Sequence, residues 1–219
     1  MRPWLLALTG LLSLSGCLWS GGDVQRDVTR TVSLYEGDVV VRAPEGYCID
    51  KRSLRGGAGQ GFVMLASCEA LSGVRGQNVE PVIMTLAVVP NGANGQGPTS
   101  SEIVNSMSGT PVITAIDDAD LSLVHFASGG NKALAEKDPK HWRAAMAING
   151  HLIALSLYGL KGSPMTGTEG QILLRALAKN TKASSPVRPL IVQSNAEQPA
   201  SAAVKPSPAL WGVLFPNSG

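Results

Sequence analysis

Two mainly apolar runs, His141 to Ile148 and His151 to Tyr158, flank the dipeptide Asn149-Gly150. Both turn positions accept positive φ, so the pattern predicts a β-hairpin closed by a type I′ turn. A two-residue turn fixes the register: Ile148 faces His151, Met146 faces Ile153, Ala144 faces Leu155 and Trp142 faces Leu157. These bulky residues share one surface. The other surface carries Ala145, Ala147, Leu152, Ala154 and Ser156, and is read as the side a helix approaches closely. The last helix of the chain is expected there.

Similar reading places the remaining elements. Val32, Leu34, Val39 and Val41 flank Glu36-Gly37-Asp38 and predict a first hairpin; Tyr47-Cys48-Ile49 begins another extended piece. Phe62 to Cys68 and Val82 to Val88 are near-continuous apolar runs, the form of strands covered on both faces. Thr99 and Glu102 have capping-box spacing and predict a short helix to about Ser108, stopped by Gly109. Pro111 to Ile116 and Leu121 to Phe126 read as strands around the acidic turn Asp117-Asp118-Ala119-Asp120. Thr168 with Gln171 is a second capping box, followed by the stripe Ile172, Leu173, Ala176, Leu177 and Asn180 to about Lys182. This order predicts a single α+β domain with a mainly antiparallel sheet. The layout is similar to PsbP-like domains, which implies helices on both faces of that sheet.

The N-terminus has a different pattern. Arg2 and the apolar stretch Trp4 to Leu14 are the charged start and hydrophobic core of a secretory signal. Leu14-Ser15-Gly16-Cys17 then resembles the lipobox of bacterial lipoproteins, a resemblance that covers residues 1–17. It implies removal of residues 1–16 as a signal peptide and attachment of lipid, palmitate-type acyl chains included, to Cys17. The alternative is an ordinary cleaved signal that leaves a free cysteine. The segments Gly46 to Asp50 and Phe62 to Cys68 also resemble uncharacterised bacterial envelope lipoproteins, a likeness that implies no activity.

With Cys17 taken by lipid, Cys48 and Cys68 remain, and one pair has one connectivity. In an oxidising compartment a disulfide between them is expected to contribute on the order of 3 kcal/mol. A metal or redox pair is the sharper alternative, but there is no CxxC and no nearby His.

The domain is expected over residues 28–183, held off the membrane by a polar tether at 17–27. Residues 184–208 form a Pro/Ala/Ser-rich linker, and 209–219 a short apolar C-terminal peptide. Within that peptide Leu210, Trp211, Leu214 and Phe215 are candidate partner-binding residues; a disordered tail and a segment at the lipid interface are the other readings. The net charge of +2 and the lack of a Lys/Arg run argue against nucleic acid. Beyond Leu14 no apolar segment approaches the roughly 20 residues needed to span a bilayer.

Signals for chemistry are sparse. Gly56 to Gly61 lacks the spacing of a phosphate loop, and there is no HExxH or GxSxG motif. His151 reads as a solvated hairpin residue, His141 as the start of a strand, and His125 as a hydrogen-bonded core residue. Asp117, Asp118 and Asp120 fall short of a calcium loop. Ser122, His125 and Asp120 do not make a triad, because alternation sends Ser122 and His125 to opposite faces. No catalytic residue, metal or cofactor is assigned. The expectation is a non-enzymatic lipoprotein, periplasm-facing and on the outer membrane more readily than the inner, because Leu18 follows Cys17. It binds an envelope protein, a cell-wall component or a small apolar ligand. The alternative is a periplasmic hydrolase whose site forms only in three dimensions, with His125, His141 and the Asp117 to Asp120 turn as its first candidates.

Overall fold

The computed structural model describes residues 28–56, 60–90 and 96–188. The signal segment, Cys17, the tether, most of the linker and the C-terminal peptide lie outside the described residues. An eight-stranded antiparallel sheet dominates, in the order β1 (Val28–Thr29), β4 (Tyr47–Arg55), β5 (Gly61–Ser67), β6 (Val82–Pro90), β10 (His151–Gly159), β9 (His141–Ile148), β8 (Ser122–Phe126), β7 (Val112–Asp117). A separate two-stranded ribbon pairs β2 (Thr31–Leu34) with β3 (Val39–Arg42). Among the described residues there are four α-helices: α1 (Cys68–Ser72), α2 (Ser100–Ser106), α3 (Gly130–Ala133) and α4 (Thr168–Ser184).

The central hairpin has the register dictated by its turn. Asn149 and Gly150 adopt φ of 50° and 75°, and His151, Ile153, Leu155 and Leu157 oppose Ile148, Met146, Ala144 and Trp142. The first hairpin likewise pairs Val32 with Val41 and Leu34 with Val39. Thr99 caps α2 as expected: its hydroxyl accepts from the Glu102 amide while the Glu102 carboxylate accepts from the Thr99 amide.

The position of the last helix is a correction. α4 packs on the bulky surface, where Leu174, Leu177 and Ala178 join Met146, Ile153 and Leu155 together with the ribbon residues Leu34, Val39 and Val41. The small-residue surface receives α2, whose Ile103, with Met107 just past its end, meets Ala145, Leu152, Ala154 and Phe126. Volume complementarity explains the choice. The buried side of α4 is built from Gly170, Leu174, Leu177, Ala178 and Thr181, mostly small, so the sheet supplies the bulk; on the other side α2 supplies it.

The start of α4 also differs from the expected capping box. Gly167 is its N-cap and Thr168 its first residue, with no side-chain cap, because the chain enters through a 3-10 turn at Pro164–Thr166. Gly170 then lies so close to the Met165 carbonyl that a β-carbon there would collide with it. The predicted stripe is rotated accordingly, leaving Ile172 62% exposed.

Coverage of β5 and β6 is uneven. Val63, Leu65, Met84 and Leu86 are fully buried on the α4 side, whereas Phe62, Met64, Ile83 and Thr85 on the other are half-buried. At that side's margin Cys48 and Cys68 form a disulfide with Cα atoms 4.8 Å apart, packed with Ala66 and Leu71.

Candidate functional site

The acidic turn between β7 and β8 is where charged side chains, both faces of the sheet and two depressions meet. Pairing of Asp117 with Ser122 sets the turn, and the Asp118 amide donates to the Leu121 carbonyl at 3.0 Å. The Asp117 carboxylate is turned toward α2. It accepts from the Ser100 amide (2.6 Å), the Ser100 hydroxyl (2.7 Å) and the Ser122 hydroxyl (2.7 Å). These donors hold its pKa below the usual carboxylate range. Asp117 is therefore a second cap on α2, placed where the unsatisfied amides and the positive end of the helix favour an anion.

The other two aspartates face α4. Asp118 pairs with Arg175, and Asp120 with Lys182 at 2.6 Å. Both pairs are substantially exposed, so they orient the turn more than they stabilise it.

A depression of about 490 Å³ opens on the α2 side, lined by Gly97, Pro98, Asp117, Ala119, Ser122 and Ala145 among others. A second, of about 350 Å³, lies against α4. Its floor is apolar, from Leu121, Met146 and Ala178, and its rim carries Arg175, Lys179 and Lys182 against Asp118 and Asp120. Such a groove suits an amphipathic occupant.

The histidines lie elsewhere. His125 is buried and stacks on Trp142, ring centroids 4.3 Å apart; burial lowers its pKa. His141 is 1% exposed and sits between Phe126 and Tyr158, at 5.4 and 5.6 Å. Its Nδ1 faces the Pro139 carbonyl at 3.3 Å, so Nδ1 carries the proton and Nε2 is left as a bare acceptor. Burial above all, then the neighbouring Arg143 charge, pushes its pKa down to about 3. His151 is half-buried, its Nδ1 3.0 Å from the Asn149 carbonyl and its ring against Tyr35. Neither depression is lined by a histidine. Among the described residues no three His, Cys, Asp or Glu side chains converge to hold a metal.

Two residues matter more than their sequence context suggested. Arg143 is 2% exposed; it donates to the Ser156 hydroxyl at 2.7 Å and lies over the Tyr158 ring at 5.6 Å. Burial lowers its pKa. A lone charge inside an apolar strand was the available signal, since a buried guanidinium is retained only with partners. Asn149, legible as a turn residue, is also a junction. Its amide donates to the Asp38 and Pro186 carbonyls at 2.8 and 2.7 Å, and its oxygen accepts from the Arg188 amide at 3.2 Å.

Comparison with known protein families, curated proteins and solved structures finds no match to this chain.

Proposed function

We propose that the protein is a non-enzymatic lipoprotein of the bacterial envelope, held by acyl chains on Cys17 with its domain facing the periplasm and acting as a binding module. The observation that carries the reading is the Cys48–Cys68 disulfide. It suits an oxidising compartment, and it leaves Cys17, in its Leu-Ser-Gly-Cys setting, as the third of three cysteines. No described helix is long and apolar enough to cross a membrane, so the lipid is the proposed attachment.

Engagement of the candidate catalytic groups supports binding over hydrolysis. Asp117 is committed to α2, while Asp118 and Asp120 are paired with α4. His125 and His141 are buried in aromatic stacks on opposite faces of the sheet. The packing of α4 into one cluster and α2 into the other supports a PsbP-like layout as part of the same proposal. The groove floored by Leu121, Met146 and Ala178 is the proposed contact surface, for an envelope protein, cell-wall component or small apolar ligand. Confinement to the membrane raises the effective concentration of any second anchored partner, so modest contacts suffice.

A photoreactive crosslinker at Lys179, used in intact envelopes, tests this. Recovery of a defined adduct missing from an unrelated lipoprotein is the expected result. Adducts no different from those of that control would end the binding-module reading.

A further inference from the structure

We infer that the outer edge of β7 is a strand-addition surface whose occupant is the chain's own C-terminal peptide, Leu210 to Phe215. Among the described residues β7 is the terminal strand of the eight-stranded sheet. Val112 and Ile113 are 39% and 49% exposed, and Thr114 and Ala115 are exposed as well. From Val112 to Ile116 the strand has no charge and no proline. Its register with β8 slips once, between Val112 and Thr114, and is regular from Thr114 to Asp117; an edge with outward backbone groups, apolar side chains and neither charge nor proline along that stretch before Asp117 is a template for another strand. The opposite edge, β1, is only two residues long and offers little.

Sequence, length and position identify the occupant. Leu210-Trp211-Gly212-Val213-Leu214-Phe215 is uncharged and is bounded by Pro208 and Pro216, which suits a short strand ended by breakers. It matches the six residues of β7. The described chain ends at Arg188, held to Asn149 at the β9–β10 turn. β7 ends at this same end of the sheet, because Asp117 pairs with Ser122 and Ser122 with Ala145. Three strand spacings separate β9 from a strand added outside β7, about 15 Å, and Asn149 lies four residues beyond the level of Asp117, about 13 Å along the strand, so the gap is about 20 Å. A flexible chain of the length of residues 189–209 has an r.m.s. reach of about 25 Å, longer if its prolines extend it. The tether therefore spans the gap and gives the peptide a local concentration on the order of millimolar, which a second copy at micromolar concentration cannot match. Strand addition supplies main-chain hydrogen bonds, with alternate side chains packing on the exposed Val112 and Ile113.

Amide hydrogen exchange on the full chain and on its Val213→Pro variant tests the inference, because proline removes an amide from the added strand without touching the domain. Exchange of the Val112–Asp117 amides is expected to speed up about ten-fold in the variant, at every protein concentration, with β9 unchanged. Identical β7 exchange in the two proteins would overturn it. So would protection that grows with protein concentration, the mark of a second copy, or that arises only with phosphatidylethanolamine–phosphatidylglycerol vesicles. As an independent check, Thr114→Cys combined in turn with Val213→Cys and Leu214→Cys should give disulfide-linked monomers; linked dimers alone would contradict the intramolecular assignment.

Discussion

Lowering the pH from 7 to 5 protonates His141 in the unfolded chain but not in the folded one. In the folded domain its ring is enclosed by Phe126 and Tyr158, with a pKa of about 3 against an ordinary 6.5. The unfolded state therefore binds more protons throughout that interval, and stability rises with pH across it. The stabilisation is fully present above pH 6.5 and is lost as pH falls toward 3. Between pH 7 and pH 5 the loss from this one group is about 2 kcal/mol, a sizeable part of a typical domain's 5–15 kcal/mol. His125 acts in the same direction, its pKa also lowered by burial. Asp117 titrates below this window, because its pKa is held under its ordinary 3.8. Urea unfolding at the two pH values, for the wild-type protein and for His141→Phe, measures the effect. Phenylalanine keeps the aromatic stack and removes the titration, so the variant should lose about 2 kcal/mol less on acidification, whatever its stability at pH 7. Equal losses in both proteins would refute the assignment of a buried neutral imidazole.

Three further outcomes follow from the packing. Replacing Cys48 and Cys68 together by alanine should cost about 3 kcal/mol and lower Tm by roughly 10 °C, measured by calorimetry. Asp117→Ala should cost about 1–2 kcal/mol and expose α2 amides to hydrogen exchange, whereas Asp120→Ala, which removes an exposed ion pair, should cost under about 0.5 kcal/mol. Gly170→Ala should destabilise by about 2 kcal/mol or more in denaturant titrations, reversing the usual helical preference for alanine, because its β-carbon meets the Met165 carbonyl.

Features governed by local chemistry are legible in the sequence. Asn149-Gly150 admits one hairpin register, and that register is found. Thr99 and Glu102 are three residues apart and cap each other. The face chosen by α4 was not legible, because it depends on matching a small-residue helix to a bulky sheet surface far away in sequence. For the same reason Asp117 looked like part of an acidic turn: its partner Ser100 is 17 positions earlier. The short helices α1 and α3, five and four residues long, leave no periodic pattern. His141 and Arg143 alternate with apolar residues in a strand buried on both sides, so neither exposure nor depth could be inferred from alternation alone. The groove beside α4 joins residues of the β7–β8 turn, β9 and the last helix, and exists only once these are assembled.

We propose that lipid on Cys17 holds this domain at an envelope membrane. Mass spectrometry of the N-terminal peptide of the protein isolated from bacterial membranes tests it most directly. The expected result is a chain beginning at Cys17 with a diacylglyceryl group on its sulfur. A free Cys17 thiol, or a chain beginning elsewhere, would contradict it.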